Sequence, residues 1–192
     1  LLSAFGKIGG QGIAAPSANR FGHVSPTTAQ AVQEELGEYL ESKDQILDGG
    51  PSTVGVESTI IDCTTEAPRI LRPGAITIQM VEESTGLKVS TTETDIRVSG
   101  SLENHYSPQA SVFLNRTPNS GEGFIALAEI QTPEKVIRLA SPKNIEEFAR
   151  VIYSALRDAD AKGLNSVVVA EPAGDGLALA IRDRLMRASK GR

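Results

Sequence analysis

The stretch KVIRLASPKNIEEFARVIYSALRDADAKGLNSVVVAE, Lys135 to Glu171, decides the fold class. It opens on a short β-type run, KVIRLA, and closes on a continuous apolar run, NSVVVAE. Between them, Ile145, Phe148, Ile152 and Leu156 recur at helical spacing within SPKNIEEFARVIYSALRDADAKG. A short run of valines bounded by turn residues reads as a buried strand. Two strands joined through a helix run parallel, because a hairpin is too short for the crossover. Working outward, GFIALAE (123–129) reads as another strand and DGLALAIRDRLMRASK (175–190) as a closing helix. The pattern predicts a small Rossmann-like parallel sheet over residues 112–192. No G-x-G-x-x-G follows any of its strands, so dinucleotide binding is not indicated.

Upstream the character changes. STTETDIRVSGSLENHYSPQAS, residues 90–111, is polar and lacks sustained apolar periodicity, so it reads as an interdomain linker. Residues 1–89 form a separate region. LLSAFGKIGG reads as the tail of a helix entering a glycine-rich turn. Residues 25–41 read as a helix, with Ser25 as N-cap, Pro26 at the first helical position, and Ala29, Val32, Leu36 and Leu40 on one face. STIIDC (58–63) reads as a buried strand and RILRPG (69–74) as a second one ending in a Pro-Gly turn. ITIQMVEESTGL (76–87) reads as a short helix closed by Gly86.

Composition narrows the classes of function. The chain has 192 residues, 40% hydrophobic and 22% charged, which suits ordinary globular domains. Aromatic residues make up 4% and tryptophan is absent, which weakens any base-stacking nucleic-acid platform. The formal net charge is −5. Residues 1–97 carry 7 basic and 13 acidic side chains, whereas 98–192 carry 12 and 11. Neither part binds a polyanion by bulk charge, so phosphate recognition has to be local and no stable direct nucleic-acid binding is expected. Cys63, the single cysteine, excludes an internal disulfide and fits a cytoplasmic location; within a strand it is expected to be inert core. No apolar run approaches the roughly 20 residues of a membrane span, and no membrane partner is expected. Two histidines and one cysteine, far apart, do not make a zinc site, and no metal ligand set is expected.

Three loops favour anions. AAPSANRFGHVSPTTAQAV (14–32) places Ser17, Asn19, Ser25 and Thr27 beside a helix start, where free N–H groups and the dipole attract negative charge. DGGPSTVGVEST (48–59) is rich in glycine, so consecutive N–H groups can form a nest, and Ser58 lies at the mouth of a strand. Arg72, at a strand end before a rigid turn, presents an aimed fork of donors. Each has a plainer reading: a helix cap, a tight turn, a surface ion pair. Glu57 and Asp62 are candidate carboxylates that equally suit capping or solvation, and His23 and His105 suit structural roles. No nucleophile–base pair is visible. The three loops together suggest a nucleotide site that works by positioning and electrostatics.

The ordered motifs PSANRFGHVSPTTAQAV (16–32), ILDGGPSTVGVESTIID (46–62) and ILRPGAI (70–76) resemble those of the YrdC-type L-threonylcarbamoyl-AMP synthases. HYSPQAS (105–111) looks like the linker of the long, two-domain form, and GLALAIRDRLMRA (176–188) like its extra Rossmann-like domain. The resemblance covers nearly the whole chain. It implies the C-terminal half of a YrdC-like twisted mixed-sheet domain, a linker, and a small Rossmann-like domain. It implies condensation of L-threonine, bicarbonate and ATP into threonylcarbamoyl-AMP with release of pyrophosphate, magnesium accompanying ATP. A downstream tRNA threonylcarbamoyl transferase would then modify position 37 of tRNA. By the same resemblance Ser17 and Ser58 would contact threonine. Asn19, Ser25 or Thr27, and Arg72 would contact ATP, with Tyr106 in the linker as a gate near the ligand. The family normally carries, ahead of these motifs, a half-domain with a basic Lys/Arg motif for the triphosphate. The chain is therefore expected to be inactive alone. The competing readings are a nucleotide- or RNA-binding module without catalysis, and a carbamoyl-adenylate domain of the hydrogenase-maturation type. The linker and C-terminal motifs speak against the latter.

Overall fold

The computed structural model describes residues 1–90, 96, 98–100 and 106–191. His105 and much of the expected linker lie outside the described residues.

The parallel sheet is as the valine run predicts. β3 (Ser111–Leu114), β4 (Gly123–Ile125), β5 (Ile137–Ala140) and β6 (Ser166–Val169) form four parallel strands in the order β3-β6-β4-β5. Central β6 is flanked on both edges, which is why its three valines are completely buried. β3 is absent from the sequence reading: SVFL is four residues long, and Ser111 falls at the last position of the expected linker. α4 (Ile145–Ala161) and α5 (Leu177–Ser189) cover one face. Phe148, Ile152 and Leu156 of α4 are buried there with Val112, Ile125, Val167 and Val169, and Ile145 packs at the margin. Each such side chain contributes about 1.5–3 kcal/mol by leaving water. Asn144 caps α4 by accepting from the Glu147 N–H at 2.8 Å. On the other face Phe124, Ala126 and Val168 form a smaller cluster.

Residues 1–90 carry α1 (Leu2–Lys7), α2 (Ala29–Leu36), β1 (Ile60–Asp62), β2 (Arg69–Arg72) and α3 (Ile78–Thr85). β1 and β2 pair antiparallel, and Arg69 also makes a parallel bridge to Ser90. α3 is capped by Thr77 and ends at Gly86 with φ +70°, the left-handed stop expected of glycine.

Three expectations are corrected. The helix expected over 25–41 is α2, which spans 29–36, and its N-cap is Thr28, whose side chain accepts from Ala31 N. Ser25 lies ahead of the helix because its hydroxyl is already donated elsewhere, to Glu57 at 2.7 Å. Beyond Leu36 the chain tightens into a 3₁₀ turn (Gly37–Tyr39) and is extended at Leu40. The strand expected over 58–63 is three residues long and only half-buried, and Cys63 is exposed just past its end, not core.

The two regions meet through side chains as well as backbone. Gly55, at φ +87°, lies so close to the α4 backbone at Ala149 and Arg150 that a Cβ would collide with it. Arg157 of α4 donates to Glu35 at 3.1 Å and to the Ala31 carbonyl at 3.0 Å. The backbone N–H groups of Gln109 and Ala110 both donate to Asp160 of α4 at 2.9 Å.

Candidate functional site

A cavity of about 560 Å³ is walled by Ser17, Phe21, Glu57, Ser58, Arg72 and Tyr106, with Ser99 and Gly100 on one side. Four of the seven side chains that the resemblance assigns to the site therefore line one cavity, although they come from positions 17, 58, 72 and 106. A second cavity of about 600 Å³, between the start of α3 and the loop before α5, contains none of them.

Arg72 is aimed, as its place at the end of β2 suggests. Its Nε and Nη2 donate to the Ser58 carbonyl at 3.1 and 2.9 Å, and Nη1 donates to the Ser99 carbonyl at 2.8 Å. The guanidinium thus ties the Ser58 loop to the 98–100 segment, and only 8% of the residue is exposed. Nη2 also reaches the Ser58 hydroxyl, at 3.4 Å. Gly74 allows this packing, since a Cβ there would strike the backbone of residues 57–59.

Asn19, Ser25 and Thr27 do not line the cavity. Asn19 donates through Nδ2 to the carbonyls of Arg20 and His23, at 2.9 and 3.2 Å, which folds the loop on itself. Its Oδ1 is buried with no partner. Thr27 holds the glycine-rich loop, its carbonyl accepting from Ser52 N at 2.9 Å. Two non-glycine residues at the site adopt left-handed backbone: Ala18 at φ +55°, between Ser17 and Asn19, and Tyr106 at φ +63°. Such conformations cost about 1–3 kcal/mol each and concentrate where geometry serves function.

Tyr106 is 1% exposed. Its ring stacks on Tyr153 of α4, with centroids 5.6 Å apart and planes inclined by 21°. Its hydroxyl occupies the space a Gly100 side chain would need. Burial, and then the Glu57 charge, push the phenol above its ordinary range.

Glu57, the residue before Ser58, is the hub of the site. Its Oε1 accepts from Ser25 at 2.7 Å, and its Oε2 accepts from Tyr153 OH at 2.7 Å and Arg184 Nε at 2.9 Å. Burial alone would raise this carboxyl, but the hydrogen bonds from Arg184 and Ser25, with the Arg184 charge, hold it below the ordinary carboxylate range. Both oxygens being occupied by donors, Glu57 is a structural anion here and not a free general base. Asp62 accepts from the Thr64 hydroxyl and N–H at 2.6 and 2.9 Å through Oδ1 alone, and its Oδ2 is buried without a partner. His23 lies 2.9 Å from Glu35, within the ion-pair network of Arg20 and Arg157.

Sequence reasoning missed Tyr153 and Arg184. The signal was present in outline. Arg184 occupies an apolar-face position of α5, three residues after Ile181 and beside Leu185, and a charge on that face needs a buried partner.

These features describe an α/β protein with a four-stranded parallel sheet and a cavity lined by loop residues of the preceding region together with Arg72 and Tyr106. Residues 76–190, more than half of the chain, match the family described as "Threonylcarbamoyl-AMP synthase, C-terminal domain". Residues 1–74 match the family described as "Telomere recombination". The chain belongs to the threonylcarbamoyl-AMP synthase family. It is similar to the threonylcarbamoyl-AMP synthase of Pyrococcus abyssi, 32% identical over 92% of this chain and 57% of the relative. It is also similar to that of Bacillus subtilis, 31% identical over 94% and 58%. The chain thus spans little more than half the length of the curated relatives it matches. Among solved structures, Sua5 of P. abyssi complexed with L-threonine aligns with a TM-score of 0.76 and 31% identity, over 92% of this chain and 57% of that one.

Proposed function

We propose that the 560 Å³ cavity takes part in forming L-threonylcarbamoyl-AMP from L-threonine, bicarbonate and ATP, for threonylcarbamoyladenosine at position 37 of tRNA. The observation that carries this reading is that Ser17, Ser58, Arg72 and Tyr106 line one cavity, in a chain that aligns with a relative solved with L-threonine. Ser17 and Ser58 present hydroxyls to threonine. Arg72 and Tyr106 serve ATP, while Asn19, Ser25 and Thr27, which do not line the cavity, hold the loops around it through their own hydrogen bonds. The threonine amine and bicarbonate give a carbamate and water. A carbamate oxygen attacks the α-phosphorus, the bond to the β-phosphate oxygen breaks, and pyrophosphate leaves. No protein nucleophile is needed; rate comes from orientation and from charge placed where it develops.

Magnesium enters with ATP as part of the substrate. Among the described residues no group of three or more His, Cys, Asp or Glu side chains gathers to hold an ion, and Glu57 is spent on its own donors. The product goes to a tRNA threonylcarbamoyl transferase.

We also propose that these 192 residues do not suffice for catalysis. Arg72 is the single cationic side chain lining the cavity among the described residues, and three of its five N–H groups already donate to the Ser58 and Ser99 carbonyls. A triphosphate requires further cations. The test is product formation from MgATP, bicarbonate and L-threonine, followed by mass spectrometry. One sample holds the chain alone. Another adds the part of the P. abyssi relative that the chain does not match. Product only in the second supports both proposals. Product from the chain alone refutes the requirement for further groups. Product in neither refutes the catalytic reading in favour of a binding module, whose RNA affinity would be salt-dependent.

A further inference from the structure

Arg184 is, among the described residues, the most deeply buried charge, with its side chain fully excluded from solvent. An ion removed from water costs several kcal/mol unless every donor finds a partner in good geometry. Each of the three Arg184 nitrogens has a partner, two of them outside α5 in the other region. Nε donates to Glu57 Oε2 at 2.9 Å, and Nη2 donates to the Pro73 carbonyl at 3.0 Å. Nη1 donates to Asp183 at 2.6 Å, and the guanidinium carbon lies 5.4 Å from the centroid of the Tyr106 ring. Glu57 precedes Ser58, and Pro73 follows Arg72.

We infer that Arg184 is a positioning residue for the candidate site: one guanidinium clamps the chain beside Ser58, the chain beside Arg72, and the ring of Tyr106. The C-terminal domain thereby sets the geometry of a cavity to which α5 contributes no wall. A planar fork can serve three differently oriented acceptors at once, which a point charge on a flexible stem cannot. The sequence separation of 111 between Pro73 and Arg184 makes this coupling tertiary, not local. The inference rests on the proposed reading of the cavity for its functional consequence, though not for its geometry.

The test uses the chain together with the unmatched part of the P. abyssi relative, so that turnover by the unsubstituted protein checks the functional reading separately. Arg184→Lys retains the charge beside Glu57 but loses the fork. Glu57→Gln with Arg184→Met leaves no orphaned ion. Arg182→Met, on the same helix, removes a donor to the Pro172 carbonyl and is the control. Activity is scored per folded molecule, with the folded fraction taken from near-ultraviolet circular dichroism. Both altered proteins are expected to lose on the order of 10²-fold in kcat/KM for L-threonine, the effect of displacing reacting groups by about 1 Å. Full activity of Arg184→Lys, or of the paired variant, would reduce Arg184 to a buried charge and overturn the inference. A second readout needs no turnover. In the isotope-labelled chain, the amide signals of Ser58 and Arg72 and the ring signals of Tyr106 should shift in Arg184→Lys and stay in place in Arg182→Met. Unmoved signals in Arg184→Lys, or equal shifts in the control, overturn the positioning role whether or not product forms. Absence of product with shifted signals refutes the functional reading alone.

Discussion

Tyr153 donates its hydroxyl to Glu57 across 2.7 Å, joining the middle of α4 to the loop that carries Ser58, 96 residues away in the chain. The phenol is buried, and burial followed by the Glu57 charge holds it protonated well above the ordinary tyrosine range, so it acts as a donor at every physiological pH. Tyr153→Phe keeps the stacking on Tyr106 and removes one donor from a buried carboxylate. The expected cost is about 1–3 kcal/mol, read as a lower midpoint in urea with an unchanged slope.

Ser25 and Thr28 separate two roles that the sequence merges. Thr28→Ala removes the cap of α2 and should cost about 1 kcal/mol, with a loss of helical circular dichroism. Ser25→Ala should leave the helix signal unchanged, because its hydroxyl serves Glu57 and not the helix. Equal loss of helix in both variants would contradict the capping assignment.

Gly55→Ala should be among the most damaging single substitutions in the chain. The backbone is left-handed there, and the added methyl meets the main chain of α4, which cannot yield as a flexible side chain does. A loss of about 3 kcal/mol is expected. Proteolysis of residues 48–59 should rise as the loop is pushed off the helix, and limited digestion followed by mass spectrometry checks this.

Acid stability should depend on Glu122. The hydrogen bonds from Arg116, then the N–H of Asn119, hold its carboxyl at about 2 against an ordinary value of 4.5. A depressed folded-state value means that ionisation stabilises the fold. The contribution is complete above pH 4.5 and is lost as pH falls toward about 2. Urea midpoints of Glu122→Gln and the unsubstituted chain should therefore differ most above pH 4.5 and converge toward pH 2. Parallel curves would refute it.

Much of the fold was legible in order. Ile145, Phe148, Ile152 and Leu156 mark α4, and the valines of β6 mark a strand flanked on both sides, because burial imposes periodicity and composition on the chain itself. Gly86 marks the end of α3 by a left-handed turn, a property of adjacent residues, whereas the cap at Thr77 came from the structure. The PSAN, GVEST and ILRPG motifs marked the loops that meet at the cavity. Tertiary structure alone decided the rest. β3 was invisible because four residues become a strand only when β6 offers a partner. Ser25 looked like a cap until Glu57, 32 residues later, took its hydroxyl. The burial of Tyr106, the closure of Glu57, and the reach of Arg184 to Pro73 depend on groups far apart in sequence. Their energies arise from desolvation and pairing that exist only once α4 and α5 have packed against the loops, and no local propensity encodes them.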